Sequence, residues 1–261
     1  MSISTGIRIL AACIALAACR SVRPAEAVRP PNVGELTVWT TRAVATVLVE
    51  VGPEFERRSG RRLRVVSDLP AGFDRLAAAR VPFDLLISGS ATVDQWIEAG
   101  RLLRASRVDL ARSGIGVAVR AGAPKPDLGS VDALRDALVQ AKSIAYLRAG
   151  SGLYLDSLVR RLGIEDQLRP KTRRPIGDSV ATLVAAGEVD LGLVVLTQIL
   201  TTPGVELAGP LPREVQSHIT FSAGISTNAR APEAAQKLID FLQGVEARRV
   251  IRAQGMSHPP F

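Results

Sequence analysis

Apolar residues along this chain fall into two repeating patterns. Some form short runs rich in valine, isoleucine and leucine, which read as strands. Others recur three and four positions apart over longer stretches, which read as helices. The first run, ELTVWTT from Glu35 to Thr41, predicts a strand, and Val44, Val47, Leu48 and Val51 then share one helix face. Pro53 is expected to start a new turn that Gly60 stops. Leu63, Val65 and Val66 make a second strand, Asp68 to Gly72 a turn, and Phe73 to Arg80 a short helix. Phe83 to Ser88 reads as a buried strand, and Ala91 to Ala99 as a helix stopped by Gly100, with Arg101 to Leu110 as a connector.

The second half repeats the alternation. Ser113 to Arg120 reads as a strand, Pro124 and Pro126 break the chain, and Ser130 caps a helix running to Ala141. Ser143 to Ile164 contains strand, turn and helix in one stretch: Ile144, Tyr146 and Leu147, then Gly150-Ser151-Gly152, then Leu155, Leu158, Val159 and Leu162 on one face. Gly163 stops that helix, and Ser151 is expected to be its N-cap. A strand is expected within Lys171 to Ile176, a helix from Gly177 to Ala186, and strands at Asp190 to Val195 and Val205 to Leu207. Gln216 to Thr227 is extended, and Pro232 to Gln243 and Val245 to Gln254 are helices.

Strands alternating with helices predict an α/β fold with largely parallel sheets. Ser113-Gly114-Ile115 and Ala223-Gly224-Ile225 sit in two long extended segments, each flanked by α/β units. The simplest layout is two lobes, with the chain crossing outward at the first segment and back at the second. Residues 35–115 with 222–261 would form one lobe and 116–221 the other. Ligands of open α/β sheets bind beyond the carboxyl ends of strands, so a cleft between lobes would collect the turns at 40–43, 68–72 and 148–152.

Composition narrows the chemistry. The chain has 33 Lys+Arg against 25 Asp+Glu, a net +8, but its arginines form no long run and only 4% of its residues are aromatic. That balance suits small anions better than nucleic acid, which usually requires stacking rings. Both cysteines, Cys13 and Cys19, lie in the first twenty residues, and His218 and His258 are the only histidines, so neither a disulfide framework nor a structural zinc site is expected. Residues 1–18 carry one charge, Arg8, before an apolar run, the shape of a signal peptide. Leu16-Ala17-Ala18-Cys19 resembles a lipobox whose cysteine is acylated, and Ala25-Glu26-Ala27 resembles an ordinary cleavage site; the lipobox is preferred. Residues 19–34 then form a tether, and export makes NAD and ATP poor guesses, so no cofactor is expected.

The turn Arg148 to Gly152 leaves backbone N–H groups at the positive end of a helix, a ready anion site, with Arg148 adding a planar fork of donors. It lacks the Gly-Lys-Ser/Thr of a P-loop, and Leu155 stands where a dinucleotide fingerprint has its third glycine. The candidate ligand residues are Thr40, Thr41, Arg42, Asp68, Ser88, Arg148, Gly150, Ser151 and Gly152. Trp39 and Trp96 read as core, Lys171, Arg173 and Arg174 as a solvated face or a cleft rim, and His218 as structural. No G-x-S-x-G elbow accompanies either histidine, so a nucleophilic triad is unsupported.

The segments PEFERRSG, VPFDLLISGS, SGIGVAVRAGAPKP, AKSIAY, GLYLDSLVRRLGI, AAGEVDLGL, VELAGPLPREVQ, FSAGIS and AQGMSHPPF follow one another in an order that resembles the type II periplasmic substrate-binding proteins. The similarity covers about Glu35 to Phe261 and lies in the branch that contains molybdate-binding proteins of ABC importers. That resemblance implies the two-lobed fold with a ligand cleft between lobes, a periplasmic or envelope location, a monomer, a small anionic ligand and an ABC permease as partner. It also implies a serine in the first strand–helix turn and a serine-rich second turn. Here Ala43 stands near the first position and Ser67-Asp68-Leu69-Pro70 at the second, and Asp68 would repel an oxyanion unless paired or protonated. Arg42 and Arg148 instead suit a carboxylate. An offshoot of the same branch includes aconitate isomerase, which implies an alternative: proton transfer on an unsaturated tricarboxylate, with His218, Asp68 and Asp178 as bases by type.

Overall fold

The computed structural model describes residues 34–176 and 179–258. The signal segment with Cys13 and Cys19, the tether as far as residue 33, Asp178 and Phe261 lie outside the described residues. The chain opens with β1 (Glu35–Thr40), α1 (Arg42–Ser59), β2 (Arg62–Ser67), α2 (Pro70–Ala78), β3 (Leu85–Gly89) and α3 (Ser90–Glu98). A long β4 (Val108–Arg120) leads into α4 (Val131–Gln140), β5 (Ile144–Tyr146), α5 (Ser151–Arg161), α6 (Glu165–Leu168) and β6 (Thr172–Arg173). Then come α7 (Ser179–Ala185), β7 (Leu191–Val195), α8 (Leu196–Thr201) and β8 (Val205–Pro210). The chain returns through β9 (His218–Ile225) to α9 (Pro232–Leu242), α10 (Val245–Ala253) and β10 (Met256–Ser257).

The strands follow the order β2-β1-β3-β9-β4-β7-β5-β6, with β8 and β10 also pairing with β4. Within each half the pairs are parallel: β1 with β2 and β3, and β5 with β6 and β7. The expectation of largely parallel sheets fails in the middle. β4 and β9 are the crossing strands, and they run antiparallel to β3, β7, β8 and each other. Residues 101–110 are correspondingly not all connector, because β4 already begins at Val108 and pairs with β9 past an irregularity between Asp109 and Ala111.

Each half buries both faces of its sheet. In the first, Leu36, Val38, Leu85 and Ile87 pack with α1, α9 and α10, while Trp39, Leu86, Phe73 and Trp96 form a second core on the other face. In the second, Ile115, Val117, Ile144 and Leu193 face α4 and α5, and Ala118, Ala145, Val180, Val184 and Val194 form the opposite core. Asp84 ties the returning chain to the first half. Buried just before β3, its carboxylate accepts from Thr37 N at 2.8 Å, Arg230 N at 2.7 Å and Ala231 N at 3.1 Å.

Pro53 does not start a new turn; it lies inside the continuous helix α1. A proline inside a helix costs about 3 kcal/mol. Breaking α1 there would pull Val51 and Phe55 out of the core in which both are buried. Two such side chains bury roughly 3–6 kcal/mol of transfer free energy, so burial outweighs the proline. The strand expected within 171–176 is only the two-residue β6, preceded by a 3₁₀ turn over Arg169–Lys171. The short helices α6 and α8 have too few turns to show a periodic stripe.

Candidate functional site

Strand register decides where the two halves face each other. The carboxyl end of β3 is level with the middle of β9 and the first half of β4, through Gly89 opposite Phe221 and Phe221 opposite Ala111. The carboxyl end of β7 is level with Ile115 of the same β4, and Tyr146 at the end of β5 pairs with Leu193. Both parallel sets therefore open toward one short stretch of the crossover, Arg112 to Ile115. His218 and Ile219 of β9 lie opposite Gly114 and Ser113 within that stretch.

At the first edge the structure leaves hydroxyls unpaired. Thr40 ends β1, is fully buried, and its Oγ1 has no hydrogen-bond partner among the described residues. Thr41 has the extended backbone of an N-cap, φ −82° and ψ 160°, yet its side chain makes no capping bond and its buried Oγ1 is also unpartnered. Ser88, fully buried near the end of β3 and opposite Ser222, has an unpartnered Oγ as well. Orphaned buried hydroxyls cost about 1–3 kcal/mol each. Thr37 Oγ1 and Trp39 Nε1 on β1 share this state, but Thr37 lies back from the strand end and the Trp39 ring is packed in the core on the other face. Arg42 is exposed at the first position of α1 and already interacts with the chain, and Ala43 behind it is buried.

Asp68 joins the same edge, because its N–H donates to the Thr40 carbonyl at 3.1 Å. Its carboxylate accepts from Leu69 N at 2.7 Å and lies 3.9 Å from Arg75. A Cβ added at Gly72 would fall 2.0 Å from the Asp68 carboxyl carbon, so the carboxylate presses on the first turn of α2. The positive end of that helix thus already has its own anion.

The second edge satisfies its polar groups internally. Arg174 reaches Asp156 with both terminal nitrogens, at 2.6 and 2.8 Å, and its Nε donates to Leu147 O at 3.3 Å. The guanidinium lies 4.3 Å over the Tyr146 ring, and the Tyr146 hydroxyl donates to Asp156 at 3.1 Å. Burial pushes the Tyr146 phenol up to about 12; Arg174 pulls it down and the bond to Asp156 raises it further. Arg148 N donates to Pro175 O at 3.2 Å, so the turns after β5 and β6 are tied together twice. Tyr146, Asp156 and Arg174 border a cavity of about 220 Å³ that also touches Glu165.

Within the β5–α5 turn, Gly150 has φ +63°, which only glycine adopts without strain. Gly152 serves the chain's own packing: a Cβ there would fall 1.7 Å from the Leu147 carbonyl oxygen. Ser151 is not the N-cap. It is the buried first residue of α5, and Gly150 occupies the cap position. Arg148 is exposed at the head of the turn. Lys171, Arg173 and Arg174 are no free rim: Lys171 donates to Val139 O and to Ala141 O at 2.6 Å, Arg173 pairs with Glu188 at 2.7 Å, and Arg174 holds Asp156.

On the crossover itself, burial and then Arg112 hold the His218 imidazole below its ordinary range. Gln216 braces the joint. Its carboxamide accepts from Ile115 N at 2.9 Å and donates to Ile115 O at 3.0 Å, as a ladder strand would. The expected site residues thus fall into two groups, Thr40, Thr41, Arg42, Asp68 and Ser88 at one edge and Arg148 to Gly152 at the other. Asp156, Tyr146 and Gln216 carry polar structure that the sequence pattern does not single out. Asp156 does sit one turn beyond Gly152, which is the one signal available.

The family model for bacterial extracellular solute-binding proteins matches residues 36–257. An aconitate isomerase from a Pseudomonas species is 30% identical over 231 residues, covering 86% of this chain and 88% of that protein. The molybdate-binding protein ModA of Azotobacter vinelandii is 27% identical over 233 residues, covering 85% and 89%. The solved periplasmic molybdate-binding protein from the same organism superposes with a TM-score of 0.73 at 22% identity, covering 86% of this chain and 100% of the other.

Proposed function

The chain belongs to the bacterial extracellular solute-binding proteins, and we propose that it is an exported member that captures a small anion between its two lobes for an ABC importer. Buried hydroxyls of Thr40, Thr41 and Ser88, without partners among the described residues, carry this reading. They are hydrogen-bond donors at the carboxyl ends of adjacent parallel strands, where ligands of open α/β sheets sit. The exposed Arg148 guanidinium supplies donors from the other half. Lobes 35–115 with 222–261 and 116–221 then close by bending β4 and β9, because the ligand touches both. Cys19 would anchor the protein to the membrane if acylated.

The ligand we favour is a di- or tricarboxylate over a molybdate-type oxyanion. Ala43 offers no hydroxyl, and the Asp68 carboxylate opposes a compact dianion at α2. The aconitate isomerase relative points the same way. That relative also supports a second reading, a cofactor-free isomerase of an unsaturated tricarboxylate. His218 favours it as a base by type: its side chain is exposed on the crossover, where partial burial and then Arg112 lower its pKa. It would accept a proton next to a carboxylate while arginines and backbone N–H groups hold the charge.

One experiment separates the readings. The mature protein is mixed with trans-aconitate in deuterated buffer and followed by proton NMR, beside a thermal-shift panel of citrate, aconitates, molybdate and phosphate. A binder stabilises with carboxylate and leaves trans-aconitate intact. A ligand at a hundredfold over Kd adds about 2.7 kcal/mol. cis-Aconitate, or deuterium at the methylene carbon, would install the isomerase instead. Stabilisation by no anion would overturn both.

A further inference from the structure

We infer that the pocket between the carboxyl ends of α2 and α3 is a second ligand site, one for a small aromatic carboxylate. The pocket holds about 440 Å³, within the range of about 300–1,000 Å³ usual for small-molecule sites. It opens beside Val81 and Phe83, ahead of β3, whereas Ser88 lies at the far end of that strand. The pocket is therefore on the opposite edge of the sheet from the hydroxyls described above.

Two helix stops deliver its arginines. After α3, Gly100 N donates to Ile97 O at 3.0 Å and Arg101 N to Trp96 O at 2.9 Å, with Gly100 at φ +70°. After α2, the same pair of bonds forms from Arg80 N to Ala77 O and from Val81 N to Leu76 O, both at 2.9 Å. Here the left-handed position, φ +54°, is taken by Arg80. Every other positive φ among the described residues belongs to glycine. An L-residue at this position is disfavoured, and glycine would relieve the chain. Arg75, in the last turn of α2, reaches back toward Asp68 ahead of that helix, so its charge does not stand at the carboxyl end.

The lining explains what Arg80 could hold. Phe83 stacks on Trp39 at 4.2 Å and meets Trp96 edge-on at 5.7 Å, giving a fixed aromatic floor. Arg101 lies 4.9 Å over Trp96 and is paired with Asp74 at 3.1 Å, so its charge is already matched. Arg80 is exposed, and no carboxylate among the described residues pairs with it. One unmatched guanidinium beside an aromatic floor suits a ring bearing a single carboxylate, held bidentately.

Phenylacetate is the probe, titrated into the full chain with the two tryptophan indole N–H signals followed by NMR. Saturable shifts centred on Trp96 are expected, with acetate and benzyl alcohol at least tenfold weaker. Arg80→Gly should lower phenylacetate affinity at least tenfold and raise Tm by about 2–4 °C, while Arg80→Ala should lose affinity without the gain in Tm. Saturating citrate should leave the affinity unchanged. No saturable shift, an unaltered affinity in Arg80→Gly, or displacement by citrate would overturn the assignment.

Discussion

The two strand edges that meet at the crossover treat their polar groups in opposite ways. At the end of β1 and β3, Thr40, Thr41 and Ser88 have buried hydroxyls with no partner among the described residues. At the end of β5, Arg174, Asp156 and Tyr146 satisfy one another, and Arg174 donates to the Leu147 carbonyl, beside which only a glycine fits at position 152. The first edge carries an energetic debt that a bound acceptor would discharge; the second is rigid before anything binds. A binding protein benefits from this division. A preformed turn would cost no ordering when a ligand arrives, and a ligand that fills the free donors would stabilise the protein relative to its empty state.

The comparison can be broken at the rigid edge first, where the largest effect is expected. Gly152→Ala places a methyl 1.7 Å from Leu147 O, a backbone atom that cannot step aside alone. Overpacking of this kind should cost about 3 kcal/mol, read as a lower urea midpoint at unchanged slope. A variant as stable as the parent would show that the turn is loose.

The next effect sharpens the same edge through pH. Tyr146 has its phenol raised from 10.0 to about 12 in the fold. The folded state then holds the proton more tightly than the unfolded state. The associated stability is present below pH 10 and is lost as pH rises from 10 toward 12. Two pH units correspond to roughly 2–3 kcal/mol. Tyr146→Phe should lack this component, so the difference in unfolding free energy between parent and variant should shrink across that window. A difference independent of pH would mean that the Arg174–Asp156–Tyr146 cluster is more open to water than its geometry indicates.

Much of this architecture is legible in the sequence where glycine does the stopping. Gly60, Gly100 and Gly163 end helices where the pattern places them, each at positive φ. The end of α2 is harder to read, because Arg80 takes the position that glycine marks elsewhere. Pro53 misleads for the opposite reason: a local breaker is overruled by burial of Val51 and Phe55. The crossover is readable as two extended segments but not as antiparallel pairing, since β4 and β9 join residues about a hundred positions apart. At the site, the strand-end threonines and the glycine turn stand out by spacing. That Thr41 leaves its helix uncapped, and that Asp156 and Arg174 find each other across two elements, depends on tertiary placement that no local pattern encodes.

The central claim is that the unpartnered hydroxyls of the first edge exist for a guest. Calorimetric titration of citrate into the parent and Ser88→Ala, with unfolding of each empty protein alongside, tests it most directly. Removing an orphaned buried hydroxyl should leave the empty protein as stable as before or more stable by about 1 kcal/mol, while citrate affinity falls at least tenfold. Unchanged affinity, or a variant clearly less stable when empty, would contradict the claim.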